Sequence, residues 1–388
     1  MALDQQTVTH ICLLGDDPSA NLTPLADTAI PSQKLIICFT EPHRSSMRSL
    51  KKVAKTRGVS VDCWLLPERA TTEQLKLSFM QLIESESKHA KSRKVPNQIW
   101  LNASNGSRQQ VLSAYEVVRS YQLPIYIVEP TLDKVCWLYP EGRESIEITD
   151  TIKLHEFFVL NGCTLVSQKS LSGDSSTVRN LGVSWLEKAK QLTKGLAKLN
   201  YLAIVARGPK LIAQMDKPML DDNALQWLLD ELHRQELIKV KGKNVYFSDQ
   251  QTLFFCSGGW LEQVTYSLVL ELTKQLPEIQ DLGYSLEIKR SVGSQTVLNE
   301  LDVVALVNNN LFVIECKTKQ YNRGEGNQVL YKLDSLAERL GGFKAKAALV
   351  TFFPISSAER RRAKELSIEI FGPEQLPTLK THLKRWMS

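Results

Sequence analysis

Asp302, Glu315 and Lys317 fall within NELDVVALVNNNLFVIECKTK (299–319), in the order aspartate, then glutamate, one intervening residue, and lysine. In LFVIECKTK (311–319), four apolar residues run directly into a carboxylate, a thiol and an ammonium. Such a strand reads as buried, and buried charges are costly unless they are paired or hold a metal. Side chains alternate along a strand, so Glu300, Asp302, Val304 and Leu306 share a face. Leu311, Val313, Glu315 and Lys317 share a face of the next strand, and the asparagines between are a hairpin signal. A two-residue turn sets Asp302 opposite either Glu315 or Lys317, depending on which asparagines turn. A three-residue loop without a bulge puts the acids on opposite faces. The expectation is therefore an even-length loop, or a compensating bulge, with Asp302, Glu315 and Lys317 converging.

Two carboxylates within reach of one cation suit Mg²⁺ or Mn²⁺, leaving other positions for water and phosphate oxygens. A bound ion of this kind polarises a scissile phosphate and acidifies water, and a nearby ammonium steadies the developing charge. Cys316, a small hydrophobe, suits the position between them that points away from the site. The competing reading is a structural ion pair, which strands carry often. Against it stand the apolar surroundings of all three residues, the sequential hairpin, and an acid-bearing helix just before it.

Composition narrows the remaining chemistry. The chain has 388 residues, 43% hydrophobic and 23% charged, which predicts a soluble globular protein of two or three domains. No long uncharged apolar run predicts a membrane span, and MALDQQTVTHICLLGDD reads as a first strand rather than a signal peptide. The seven cysteines are scattered and never spaced CxxC, so neither zinc nor a disulfide framework is expected and a reducing cytoplasm fits. The six histidines form no HxH or HExxH pair, which leaves carboxylates as the metal ligands. A net charge of +6 permits a nucleic-acid partner without arguing for one.

These residues need elements to position them. Over 1–150, short runs apolar on both faces (10–15, 35–40, 61–66, 99–103 and 125–129) alternate with helical patterns at 44–57, 72–89 and 108–121. That alternation predicts a doubly wound parallel sheet. Over 151–250, VSWLEKAKQLTKGLAKL reads as one amphipathic helix, and 223–248 as a helix followed by a hairpin around Gly242. Helix then hairpin resembles a winged-helix unit that touches DNA; a small connector or dimerisation element is the plainer reading. From 251 to 388 a glycine pair precedes an amphipathic helix with Leu261, Val264, Leu268 and Leu272 on one side. The order α-β-β-β-α-β-α-β-α follows, with no internal repeat.

GGWLE, ELD and ECK in that order of elements resemble the restriction-endonuclease-like fold of PD-(D/E)xK nucleases. The resemblance implies Glu262 as the acid of the first core helix, Asp302 as the motif aspartate, and Glu315 and Lys317 as the (D/E)xK pair. Glu262, Asp302 and Glu315 would then be the metal ligands. Leu301 stands where the name-giving proline often sits. Gln328, Tyr331 and Lys332 lie on the following helix, where related nucleases place polar residues beside the cleft; an ordinary solvated face is the alternative. Glu300 lies one step further from the turn than Asp302.

In a doubly wound sheet, ligands bind beyond the C-terminal strand ends. GDDPSANLTPL follows the first strand and NASNGSRQQ the fourth; both are small and polar, suiting phosphate or base recognition, and neither is GxGxxG. Joined to a C-terminal nuclease, Asn102, Ser104, Gly106 and Ser107 resemble the turn of a CARF domain, the CRISPR-associated Rossmann-type sensor of cyclic oligoadenylates. The arrangement is similar to CRISPR ancillary nucleases that join one CARF domain to one PD-(D/E)xK domain. It implies a homodimer binding one cyclic tetra-adenylate. It also implies metal-dependent cleavage of single-stranded RNA or DNA, and of supercoiled plasmid, with little sequence specificity. Candidate ligand contacts are Asp16, Asp17, Ser19, Asn21, Asn102, Ser104, Asn105, Gly106, Ser107 and Arg108, with Glu41 and His43 after the second strand. The aspartates could instead cap the following helix.

Two rivals stay open at this stage. One is a ligand-sensing DNA-binding regulator that retains the nuclease fold only for packing. The other is a repair or recombination nuclease whose first domain binds a different nucleotide.

Overall fold

The computed structural model describes residues 7–15, 18–27, 30–93, 97–129, 134–148, 152–169, 175–292, 295–320 and 325–388. The chain divides into two compact units, Met1–Leu165 with Lys289–Val297, and Val166–Ile288 with Leu298–Ser388.

The first unit opens β1 (Thr7–Leu13), α1 (Ser19–Ala26), β2 (Lys34–Phe39), α2 (Arg44–Thr56), β3 (Ser60–Leu65), α3 (Thr72–Arg93), β4 (Asn97–Asn102) and α4 (Arg108–Ser120). It continues with β5 (Ile125–Glu129), β6 (Lys134–Tyr139), β7 (Ile146–Glu147) and α5 (Leu154–Leu160). Its sheet runs β3-β2-β1-β4-β5-β6-β7. The first five strands are parallel, as expected; β6 and β7 add an antiparallel edge. Both faces are covered, which is why the strands read as apolar throughout. Ile11, Leu13, Ile99 and Leu101 pack with α3 and α4 residues such as Phe79 and Ala114, whereas Val8, Trp100 and Tyr126 form the other cluster.

The first strand begins at Thr7 rather than at residue 10 because its polar residues find partners inside. His10 is fully buried. Its Nδ1 lies 2.8 Å from the Tyr126 hydroxyl, and its Nε2 lies 3.1 Å from the Pro31 carbonyl and 3.1 Å from the Ser32 hydroxyl. Burial lowers its pKa from 6.5 to about 4, against a smaller opposing effect of the Pro31 carbonyl. The unfolded chain therefore binds a proton between these two values that the folded chain refuses. Stability is expected to be full above pH 6.5, to fall by about 3 kcal/mol towards pH 4, and to level off below. Urea titrations across this range should show His10→Gln with a shallower fall than the parent; parallel curves would remove His10 from the account.

The second unit contains β8 (Cys163–Lys169) from Val166 onwards, then α6 (Ser175–Glu187), α7 (Ala189–Val205), β9 (Ile212–Gln214), α8 (Lys217–Leu220), α9 (Asn223–Arg234), β10 (Ile238–Lys241) and β11 (Asn244–Phe247). The expected single amphipathic helix is two helices, α6 and α7. Lys188 between them leaves the helical region at φ −102° and ψ 18°, so the stripe continues but the axis breaks. The helix–hairpin around Gly242 is present, and β9 completes a small sheet of order β10-β11-β9.

Then come α10 (Gln250–Phe254), α11 (Trp260–Leu272), β12 (Ile279–Val292) as far as Ile288, β13 (Gln295–Val307) from Leu298 onwards, β14 (Asn310–Lys317), α12 (Glu325–Gly341), β15 (Lys346–Thr351), α13 (Ser357–Glu365), β16 (Ile368–Phe371) and α14 (Leu379–Met387). The sheet order is β16-β15-β14-β13-β12-β8. Leu261, Val264, Leu268 and Leu272 of α11 are buried together with Val303, Ala305, Ile314 and Val350 of the sheet. Among the described residues no helix is long and apolar enough to cross a membrane.

Candidate active site and candidate ligand site

The β13–β14 hairpin turns on two residues, Asn308 and Asn309, with φ of 46° and 58°. Asparagine tolerates this left-handed conformation, and two such residues make the turn that matches strand twist. Gln280 holds the turn from β12: Asn309 N donates to its Oε1 at 2.5 Å, and its Nε2 donates to Asn309 Oδ1 at 3.0 Å. The register pairs Val307 with Asn310 and Val303 with Ile314, so Asp302 falls on the same face as Glu315 and Lys317. An even-length loop therefore brings the three residues together.

Lys317 Nζ lies 2.5 Å from Glu315 Oε1 and 3.5 Å from Asp302 Oδ2. Asp302 Oδ2 also accepts the Cys316 amide at 2.7 Å, which locks the aspartate against the neighbouring strand. Cys316 itself turns into the apolar cluster under α11. Asp302 is buried, and that burial, with Glu315 beside it, raises its pKa to about 6. Burial opposes the Lys317 charge too, but Asp302 and Glu315 outweigh it and raise the lysine.

Glu262 stands in the first turn of α11. Burial and then the charge of Asp302 push its pKa up to about 8, and its Oε2 is buried without a hydrogen-bond partner. The carboxylate cluster thus has one ammonium and an unsatisfied oxygen facing several like charges. An added divalent cation would relieve both costs, so these residues fit a metal. As the side chains stand, no three His, Cys, Asp or Glu groups among the described residues close around an ion; the Lys317 ammonium lies between Glu315 and Asp302. Glu300 is exposed, and Ser285 Oγ donates to its Oε1 at 3.2 Å. Gln328, Tyr331 and Lys332 are exposed on α12, with Arg362 stacked 5.3 Å from the Tyr331 ring centroid.

Sequence reasoning missed what supports this cluster. Gly258 adopts φ 120°, and a Cβ there would collide with Thr318 Oγ1, one residue beyond Lys317. Asn200 Nδ2 donates to that same Oγ1 at 3.1 Å and to the Thr318 carbonyl at 3.2 Å. The glycine pair was the visible signal; its contact with the end of β14 was not.

In the first sheet the strand order reverses between β1 and β4, and their two following loops meet there. A Cβ on Gly15 would lie 2.7 Å from Gly106 N, and one on Gly106, at φ 109°, would lie 2.8 Å from Leu13 Cβ. Asn102 is buried: its Nδ2 donates to the Ala20 carbonyl at 2.9 Å, and its Oδ1 accepts Ser104 N at 3.0 Å. Ser104 Oγ in turn accepts Val128 N at 2.8 Å. Asn21 is likewise buried and donates to the Leu13 carbonyl at 2.8 Å. Asn21 and Asn102 therefore shape the loops from behind. Ser19 and Asn105 are buried as well. Ser107 caps α4 in a reciprocal box with Gln110, and Arg108 is exposed at the helix start. Glu41 is bound by Arg44 at 2.6 Å, and His43 Nδ1 lies 3.0 Å from Thr40 Oγ1. Asp16 and Asp17 lie outside the described residues.

The chain thus carries a reversal-point loop pair on a Rossmann-like sheet and, on a second sheet, acids and a lysine converging at a hairpin. Residues 249–388 match the family model described as "Card1-like, endonuclease domain". Over 98% of both chains the protein is similar to VC1899 from Vibrio cholerae, with 34% identity and a TM-score of 0.91. Can2 from Sulfobacillus thermosulfidooxidans, solved in complex with cyclic tetra-adenylate, is 24% identical with a TM-score of 0.78, covering 98% of this chain and 99% of that one. A type III CRISPR defence DNA nuclease activated by cyclic oligoadenylate shares the fold at 13% identity and a TM-score of 0.54, covering 97% of this chain and 52% of that one. No curated protein matches the chain. The chain belongs to the CRISPR ancillary nucleases that join an N-terminal CARF domain to a C-terminal PD-(D/E)xK domain.

Proposed function

We propose that this protein is a metal-dependent nuclease that cuts phosphodiester bonds of DNA, RNA or both with little sequence specificity, switched on by a cyclic oligoadenylate. The observation that carries the catalytic half is the convergence of Asp302, Glu315 and Lys317 beside a Glu262 carboxyl with an unsatisfied oxygen. Glu262, Asp302 and Glu315 would hold Mg²⁺ or Mn²⁺, which when bound polarises the scissile phosphate and acidifies water. Lys317 supplies a fixed positive charge where negative charge grows on the phosphoryl oxygens. Asp302, held by the Cys316 amide, keeps its carboxylate oriented without reorganisation.

The sensor half rests on the loops meeting at the β1/β4 reversal and on Can2 having been solved with cyclic tetra-adenylate. The reading assigns ligand binding to residues 1–150, a connector to 151–250 and catalysis to 251–388. The ligand would be shared by a homodimer, in the cytoplasm. Ser104, Asn105, Gly106, Ser107 and Arg108, with Ser19, would line the ligand site, and Asn21 and Asn102 would hold its frame; Asp16 and Asp17 are candidate contacts on their sequence alone. For activation the ligand must bind the active arrangement more tightly than the resting one. Single-stranded RNA, single-stranded DNA and supercoiled plasmid, each incubated with Mn²⁺ or Mg²⁺, should be cut faster when cyclic tetra-adenylate is added. Equal cutting without it would remove the sensor half.

A further inference from the structure

Beside the Ser257–Gly259 turn lies an open pocket of about 400 Å³, lined by Arg207, Gly208, Pro209, Gln250, Leu253 and Phe254. That size suits a single small ligand. The exposed Arg207 donates to Ser257 Oγ at 3.5 Å, which keeps its guanidinium over the residue before Gly258. Phe254 is half-buried and edges the pocket, while the Lys169 ammonium sits 4.0 Å from its ring centroid. That distance is a cation–π contact, which holds a flexible lysine in one place. Gly259 packs on the same ring so closely that any Cβ there would collide with it.

Arg207 is tied to Ser257, next to Gly258, and Gly258 packs against Thr318 directly after Lys317, so the pocket borders the end of β14 that carries Glu315 and Lys317. Among the described residues neither Arg207 nor Lys169 forms an ion pair, whereas Lys198 is bound to Asp222 at 2.7 Å. Two cations without an ion pair among the described residues, beside an apolar floor, match a polyanion that carries flat bases.

We propose that this pocket is a subsite for one nucleotide of the strand being cut. Arg207 and Lys169 take phosphate oxygens, and Pro209, Leu253 and Phe254 receive the base or sugar. The assignment rests on the nuclease reading above and adds where a neighbouring substrate nucleotide sits. It also explains the SGG turn chemically: glycine at 259 leaves room for the Phe254 ring, which in turn holds Lys169 in place.

The test is a binding titration on the full-length chain carrying Glu315→Ala, so that substrate survives. Labelled single strands of DNA and RNA of about 12 nucleotides are followed by fluorescence anisotropy from about 50 to 200 mM salt, with and without cyclic tetra-adenylate. Arg207→Ala and Lys169→Ala should each weaken binding about 5–10-fold at low salt and reduce the slope of log affinity against log salt by about 0.7, the value for one single-strand phosphate contact. Phe254→Leu should weaken binding about 5-fold with the slope unchanged, and Arg207→Lys should restore the slope. A loss confined to the DNA or to the RNA strand identifies which of them the pocket receives. Affinity and slope unchanged in Arg207→Ala for both strands would overturn the proposal. The nuclease reading fails separately, if the unmutated chain leaves every strand uncut.

Discussion

Lys317→Ala is expected to lower the cleavage rate by about 10²–10³-fold, the usual loss when one preorganised positive group is removed from a developing anion. The same change strips Glu315 and Asp302 of the ammonium that lies 2.5 and 3.5 Å from them. Breaking a fully buried pair costs about 3–5 kcal/mol. The Lys317 side chain is 31% exposed, so the stability loss should be nearer 1–2 kcal/mol by the weakening that solvent brings to ion pairs. Millimolar Mg²⁺ should then raise the melting temperature of Lys317→Ala more than that of the parent, because the carboxylates have lost the cation between them. Lys317→Arg separates the two roles of the lysine. Arginine keeps the charge and should recover most of the stability, but its planar fork cannot place a compact charge at the same point, so cleavage should stay low. Cleavage restored together with stability would make Lys317 a structural counter-ion, the competing reading of this strand.

Gly258→Ala should be the most damaging change that touches no charged group. At φ 120° an L-residue is strained wherever it sits, and here the new methyl also runs into Thr318 Oγ1. The combined cost should be about 2–3 kcal/mol. Thr318 follows Lys317 directly and is held by Asn200, so the displacement falls on the end of β14 that carries Glu315 and Lys317. Cleavage should therefore fall by about 10²-fold, since a shift of about 1 Å in a positioning element has that effect. Adding Thr318→Ala removes the collision but not the backbone strain, so the double variant should recover part of the melting temperature. A Gly258→Ala protein with parental stability and activity would show that this close approach does not position the site.

The hairpin was legible because three independent signals agree there: alternation, the asparagine cluster, and charges in an apolar run. The buried face of α11 was legible for a similar reason, with Leu261, Val264, Leu268 and Leu272 at helical spacing. The break at Lys188 was not, since the apolar stripe continues through it. Nor was the contact of Lys169 with Phe254, because CTLVSQK is a mostly exposed edge strand without a strong pattern. His10 and Asn102 show the other limit. Polar residues in a central strand look like boundaries or ligands in sequence, yet here tertiary partners satisfy them inside the sheet. The two small polar loops do follow β1 and β4, but their sequence could not say that Gly15 and Gly106 would meet.

The central claim is that Asp302, Glu315, Lys317 and Glu262 form a metal-dependent phosphodiester-cleaving centre. Its most direct test is cleavage of a labelled single strand by the parent chain and by Glu315→Ala, side by side, in Mn²⁺ with cyclic tetra-adenylate and again in excess chelator. The account predicts cutting by the parent in Mn²⁺, none in chelator, and a loss of at least about 10²-fold in Glu315→Ala. Cutting that persists in chelator, or that Glu315→Ala performs at the parental rate, would contradict it.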